Sequence, residues 1–377
     1  MDLSFLAPEE TYRTHQPCRE VLIMSQSILH TPIQLKNMTL KNRVVMPPMC
    51  QYVVNDRDGK ATDWHFTHYV SRAIGQTALI IVEATAVQPD GRITDYDLGL
   101  WSDEQIQPLK RIVDAVHAQG AKIAIQLGHA GRKAEDANPA MAPSAIPITY
   151  VPSKGGPERT THPQALSLEQ IHDVIAAFAS AAKRAVQAGF DSIEVHAAHG
   201  YLIHEFHSVL LNHREDAYGK DRSLFGCEVI RAVKAVVPAD MPILCRLSAI
   251  EYMDGGYDLK HSLAIAKKYH EAGADVFDIS AGGEGMPGKN KPGNYPGYML
   301  PLAQAFKLHF VDVPIISVGL LENPDIADYA VSSGLSDMVA VGRGMLNDPY
   351  WTLHALLQLR APEMDIPQPY QRGIRSH

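Results

Sequence analysis

Leu168-Glu-Gln-Ile-His-Asp-Val-Ile-Ala-Ala-Phe-Ala-Ser-Ala-Ala-Lys-Arg-Ala-Val-Gln-Ala-Gly-Phe-Asp-Ser-Ile-Glu-Val-His196 is one complete helix-then-strand unit. Residues 168–188 carry apolar side chains three and four apart, the spacing of a helix with one buried face. Gly189 stands where a helix C-cap favours glycine. The short β-branched run Ser192–His196 then reads as a strand. How often this unit recurs decides the fold.

It recurs along most of the chain. Strands are predicted at Arg43–Met46, Ala78–Glu83, Lys122–Gln126, Ser192–His196, Pro242–Leu247, Val276–Ser280, Pro314–Val318 and Met338–Val341. Most are nearly continuous in apolar residues, as parallel strands covered by helices are. Helical spacing separates them at Asp103–Gln119, Leu259–Ala272 and Pro324–Ser333, with Gly120, Gly273 and Gly334 at helix ends. About eight such units match the α/β class and the (β/α)8 TIM barrel. A doubly wound sheet is the rival, and its dinucleotide site needs a glycine motif that opens a helix. Gly283-Glu-Gly285-Met-Pro-Gly288 has the glycines, but Pro287 and the following Lys-Asn-Lys-Pro-Gly-Asn-Tyr-Pro cannot open one.

The 377 residues, 46% hydrophobic and 20% charged, suit a soluble globular protein of one large domain or two ordinary ones. A net charge of −8 argues against non-specific nucleic-acid binding. No apolar run approaches the roughly 18 residues of a membrane span. Cys18, Cys50, Cys227 and Cys245 form no close pair, which speaks against zinc, iron–sulfur and disulfide frameworks and fits a reducing cytoplasm. Residues 1–26 read as a poorly ordered leader, with only Val21–Met24 apolar and Met24 an alternative start. Residues 27–377 then form a single barrel domain with a C-terminal tail.

One connection is much longer than the rest. Arg132 to Ser167 holds six prolines and Gly155-Gly156, and it follows the third strand. It is read either as a lid over the catalytic face or as a mobile insertion.

Catalytic groups of these barrels sit at the C-terminal strand ends. The fourth end, His196-Ala-Ala-His199-Gly-Tyr201, carries the strongest local signal. In an extended strand the two histidines would face opposite ways; a turn after His196, which the alanines and Gly200 permit, lets them converge. They would then offer N–H donors to one oxygen, beside a phenol that keeps its proton at neutral pH. A metal site extended by His204 and His207 is the rival, although Glu83 and Asp278 are the only carboxylates to complete it. Simple packing of these histidines is the third reading. Gly319, Gly342 and Arg343, at the last two strand ends, suit a phosphate or merely tight turns. Arg246 and Gln126 would serve an anionic ring or a structural network, and Cys50 reads equally as a small buried hydrophobe.

Several strings together resemble the Old Yellow Enzyme family, in its branch of short bacterial NADPH dehydrogenases and xenobiotic reductases, from Ile33 to Gly373. They include Leu-Lys-Asn-Arg-Val-Val-Met-Pro-Pro-Met-Cys-Gln-Tyr (40–52), Val-Glu-Ala-Thr-Ala-Val (82–87), Gly-Arg-Ile-Thr-Asp (91–95), Ile-Gln-Leu-Gly-His-Ala-Gly-Arg-Lys (125–133) and Ile-Glu-Val-His-Ala-Ala-His-Gly-Tyr-Leu-Ile-His-Glu-Phe (193–206). The resemblance implies non-covalent FMN held by Pro47, Pro48, Met49, Cys50, Ala84, Gln126 and Arg246, with its phosphate at Gly319, Gly342 and Arg343. It implies NADPH or NADH as hydride donor and activated alkenes as substrates. It assigns His196 and His199 to the substrate oxygen, Tyr201 to proton donation and Tyr52 to the pocket wall. It also implies a homodimer or homotetramer in which Arg372 reaches a neighbouring active site. Two features depart from the family: only Lys220-Asp221-Arg222 follows Asn212–Gly219, and Ile374 stands where the branch often has tryptophan. A metal-dependent hydrolase and a non-catalytic flavoprotein are the competing functions.

Overall fold

The computed structural model describes residues 27–362 and 366–373. The leader reading of residues 1–26, the start at Met24, Cys18 and Ile374 lie outside the described residues.

All eight predicted strands form, and they close. β1 (Val44–Met46), β2 (Leu79–Ala86), β3 (Lys122–Gly128), β4 (Ser192–Ala197), β5 (Ile243–Ser248), β6 (Val276–Ser280), β7 (Ile315–Ser317) and β8 (Met338–Ala340) pair in that order, and β8 returns to β1. Every pairing is parallel. Helices fill the crossovers. Leu168–Ala188 forms as read, with a capping box at Ser167 and Gly189 ending it at φ +91°. Asp103–Gln119 instead begins as a 3-10 turn, Asp103–Gln105, and is α-helical over Ile106–His117. The glycine string at 283–288 opens no helix; the next one starts at Leu300.

The interior has two chemically distinct halves. At the N-terminal end an antiparallel hairpin, Ile33–Leu35 with Met38–Leu40, packs Leu35, Met38 and Leu40 against Val45, Leu79, Leu244 and Ile316. This apolar plug makes the barrel a packed core rather than a pore. Nearer the C-terminal ends the interior turns polar, with Gln126, Glu194, Arg246 and Asp278 buried. Polar side chains in that position need partners, and adjacent strands supply them. Glu194 is in register with Gln126, and Arg246 with both His196 and Asp278.

The long connection after β3 carries structure of its own. Ile148–Tyr150 pairs antiparallel with Arg159–Thr161, and Met141–Ala142 pairs with Gln164–Ala165. Glu135 holds the connecting tip by accepting from the amide and hydroxyl of Ser153. The Lys154 ammonium at that tip donates to the Tyr52 carbonyl at 3.3 Å. The hairpin therefore touches the segment that follows β1.

Candidate active site

Apart from Arg372 and the pocket residue Tyr52, every predicted site residue lies within the C-terminal half of a barrel strand or just beyond it. At β2 a bulge helps. Val82 pairs with Ile125 and Thr85 with Leu127, so Glu83 and Ala84 together oppose Gln126. Glu83, almost fully buried, accepts from the Tyr69 hydroxyl at 2.6 Å and the Gln51 amide at 3.1 Å. These bonds fix the Pro47–Tyr52 segment above the barrel. Burial, and then the Asp97 and Glu83 carboxylates, push the Cys50 thiol well up, so it is protonated at neutral pH.

The turn after β4 is present. His199 has φ +62° and Gly200 φ +71°, which swings the chain back over the barrel. His196 then meets two partners edge-on, with ring centroids 5.3 Å from His199 and 5.0 Å from Tyr201. Burial first, and the Arg246 charge second, hold both imidazoles well below their usual range, so both are neutral. Burial raises the Tyr201 phenol, which keeps its proton. Nε2 of His199 lies 2.7 Å from the Ser280 hydroxyl, a contact that fixes the orientation of the ring. Nδ1 of His196 has no protein partner among the described residues. A cavity bounded by Ala84, Ile93, Asp97, His129, His196 and Tyr201 lies beside this cluster.

The other histidines of the motif turn elsewhere. His204 bonds Glu251 at 3.0 Å and His207 bonds Tyr269, both fully inside the wall. Among the described residues no three histidine, cysteine or acidic side chains gather as a metal site.

The remaining predicted groups fit a flat ring with an anionic tail. Arg246 Nε lies 3.1 Å from Asp278, and the guanidinium makes no other ion pair or hydrogen bond among the described residues. Gln126 gives its amide to Glu194 at 2.8 Å, which leaves its carbonyl oxygen for a ring N–H. Burial and the Asp278 charge raise Glu194 to about 8, so the layer avoids two adjacent buried anions. A Cβ on Gly342 would come 3.5 Å from Met49 Sδ and 3.6 Å from Pro47 Cγ, so this backbone runs close under the β1 segment. Gly319 has φ +123°, and Arg343 beside Gly342 is exposed. Burial raises the Tyr298 phenol while Arg343 opposes the rise, which places Tyr298 near that guanidinium.

Sequence reasoning missed Ser280 as a partner of His199, Lys133 beside Tyr201 and Tyr298 beside Arg343. Arg372 is not brought into this chain's own cluster. It is exposed on the 3-10 turn Gln368–Gly373, which docks through Tyr370 on Tyr350 with hydroxyls 3.3 Å apart.

Comparisons with known proteins identify the family. The model of the NADH:flavin oxidoreductase / NADH oxidase family matches residues 28–361. An NADPH dehydrogenase of Bacillus subtilis (strain 168) is 44% identical over 348 residues, covering 92% of this chain and 98% of that protein. One from Listeria monocytogenes serotype 4a (strain HCC23) is 44% identical over 350 residues, covering 92% and 99%. Among solved structures, morphinone reductase superposes with a TM-score of 0.73 at 30% identity, over 89% of this chain and 91% of that one. The chain belongs to the NADH:flavin oxidoreductase / NADH oxidase family, the Old Yellow Enzyme family, as an FMN-dependent NAD(P)H oxidoreductase of the bacterial NADPH dehydrogenase branch.

Proposed function

We propose that the chain is an ene-reductase that reduces the C=C bond of α,β-unsaturated carbonyl or nitro compounds. The observation that carries this is the meeting of two neutral imidazoles and a protonated phenol at the end of β4. Bound FMN, reduced by NADPH or NADH, supplies the hydride for the β-carbon. His196 and His199 donate N–H bonds to the electron-withdrawing oxygen, where negative charge accumulates. Tyr201 gives its proton to the α-carbon. Tyr52 lines the pocket, and the 148–161 hairpin that rests on it acts as a lid excluding water.

Pro47, Pro48, Met49, Cys50, Ala84, Gln126 and Arg246 hold the ring, and Gly319, Gly342 and Arg343 hold the phosphate. Residues 27–377 work as one FMN-binding domain. The chain assembles as a homodimer or homotetramer, and exposed Arg372 reaches a neighbouring active site. Among the described residues no helix is long and apolar enough to cross a membrane, and the unpaired cysteines support a cytoplasmic place of work. Morphinone reductase has been solved in complex with tetrahydroNAD, which supports a nicotinamide as the hydride donor.

The test is His196→Ala. Loss of one charge-stabilising donor should slow cyclohexenone reduction by about a hundred- to a thousand-fold with FMN still bound. Full activity in that variant removes His196 from the reaction.

A further inference from the structure

We infer that Lys133 is a positioning residue for proton transfer: its ammonium, fixed against the Tyr201 ring, stabilises the phenolate formed when Tyr201 gives up its proton. This rests on the reading of Tyr201 as the proton donor.

Lys133 ends the 3-10 turn Gly131–Lys133 directly after β3. Its Nζ donates to the His199 carbonyl and to the Gly283 carbonyl, both at 2.9 Å. Both acceptors are neutral, and no carboxylate forms an ion pair with this ammonium among the described residues, so its charge is undiminished by contact. Nζ lies 4.6 Å from the Tyr201 ring centroid. Two carbonyls from two different loops therefore hold a cation against the phenol. Glu205, Glu284 and Glu135 face it from farther away, with Arg132, His196 and His199 on the cationic or neutral side. Burial lowers the lysine to about 8, which leaves it charged at neutral pH.

The step balances without a further reagent. The Tyr201 O–H bond breaks, the proton joins the α-carbon through the enolate or nitronate electron pair, and the phenolate later takes a proton from water. Lys133 keeps its own proton throughout. A cation held over the phenol ring stabilises the negative charge that spreads over it as the proton leaves, and Tyr201 is partly buried, which weakens screening by water. Without the cation, burial and the Asp97 and Glu135 carboxylates oppose phenolate formation.

The test compares Lys133→Met, Lys133→Arg and Tyr201→Phe with the wild type in anaerobic rapid mixing. The flavin-loaded enzymes are reduced with NADPH, then mixed with cyclohexenone in H2O and D2O between pH 6 and 9. Lys133→Met should slow only the alkene step, by about tenfold, with a larger solvent isotope effect. Lys133→Arg should recover most of the rate. Unchanged alkene kinetics in Lys133→Met, equal slowing of both half-reactions, or loss of bound flavin overturns the inference, the last two by marking a purely structural lysine. A wild type that never reduces cyclohexenone overturns the ene-reductase reading itself. An active wild type and a slowed Tyr201→Phe beside an unaffected Lys133→Met sink this inference alone.

Discussion

Replacing Gly200 by alanine tests whether the turn after β4 sets the geometry of the site. Gly200 has φ +71°, and a Cβ there would lie 2.5 Å from Glu284 Cα, 2.6 Å from the Gly283 carbonyl oxygen and 3.0 Å from the Glu284 nitrogen. All three are backbone atoms, so no side chain can swing aside. The left-handed conformation costs alanine about 1–2 kcal/mol. Overpacking against a fixed backbone adds about 1–3 kcal/mol, for a sum of about 2–5 kcal/mol. The protein either loses that stability or relieves it by moving His199 and Tyr201, and a shift of about 1 Å costs about a hundredfold in rate. Gly120→Ala is the control, because Gly120 has φ +69° with nothing within 4 Å of the new Cβ. It carries the conformational term alone. Urea unfolding and initial rates of cyclohexenone reduction should both separate the two variants. If Gly200→Ala matches Gly120→Ala in stability and in rate, the reasoning is refuted.

Other expectations follow from the same contacts. Arg246→Met strips the cation from the buried Asp278 carboxylate, a loss of about 3–5 kcal/mol, and should yield protein that melts lower and sheds FMN on gel filtration; retention of both properties contradicts it. Cys50 should alkylate slowly with iodoacetamide at pH 7 and faster only above pH 9, since its thiol is raised; fast labelling at pH 7, followed by mass spectrometry, counts against a raised thiol. Glu205 is raised to about 8 by burial, so the native state holds a proton that the unfolded state loses above about 4.5. Its contribution is therefore present at low pH and lost as pH rises toward 8. Glu205→Gln should gain stability relative to wild type across that window, by at most about 1.4 kcal/mol per pH unit, and a flat difference would show Glu205 ionised throughout. Arg372→Ala should lower alkene turnover without loss of flavin, and mixing it with His196→Ala subunits should restore part of the rate if the arginine acts across an interface.

The barrel was legible because buried parallel strands are short apolar runs, and helix periodicity with terminal glycines separates them. What local pattern cannot encode was missed. The Ile33–Leu40 hairpin has three-residue strands, too few to show a period. β2 runs on to Ala86 because a bulge at Glu83 and Ala84 lets the pairing resume beyond it. The 148–161 hairpin hides in a segment whose prolines and glycines read as loop. At the site, strand ends exposed His196, Arg246 and Gln126 because the fold dictates where such ends point. Lys133 and Ser280 stayed silent because their partners are distant in sequence, Gly283 lying 150 residues from Lys133 and Ser280 lying 81 from His199.

The most direct measurement is an anaerobic spectral titration of the purified, FMN-loaded protein with NADPH, followed by cyclohexenone. The flavin band should bleach with one equivalent of NADPH and return as cyclohexanone forms in equal amount. A band that bleaches but does not return with the alkene contradicts the ene-reductase reading, and a protein with no affinity for FMN contradicts the whole account of the barrel mouth.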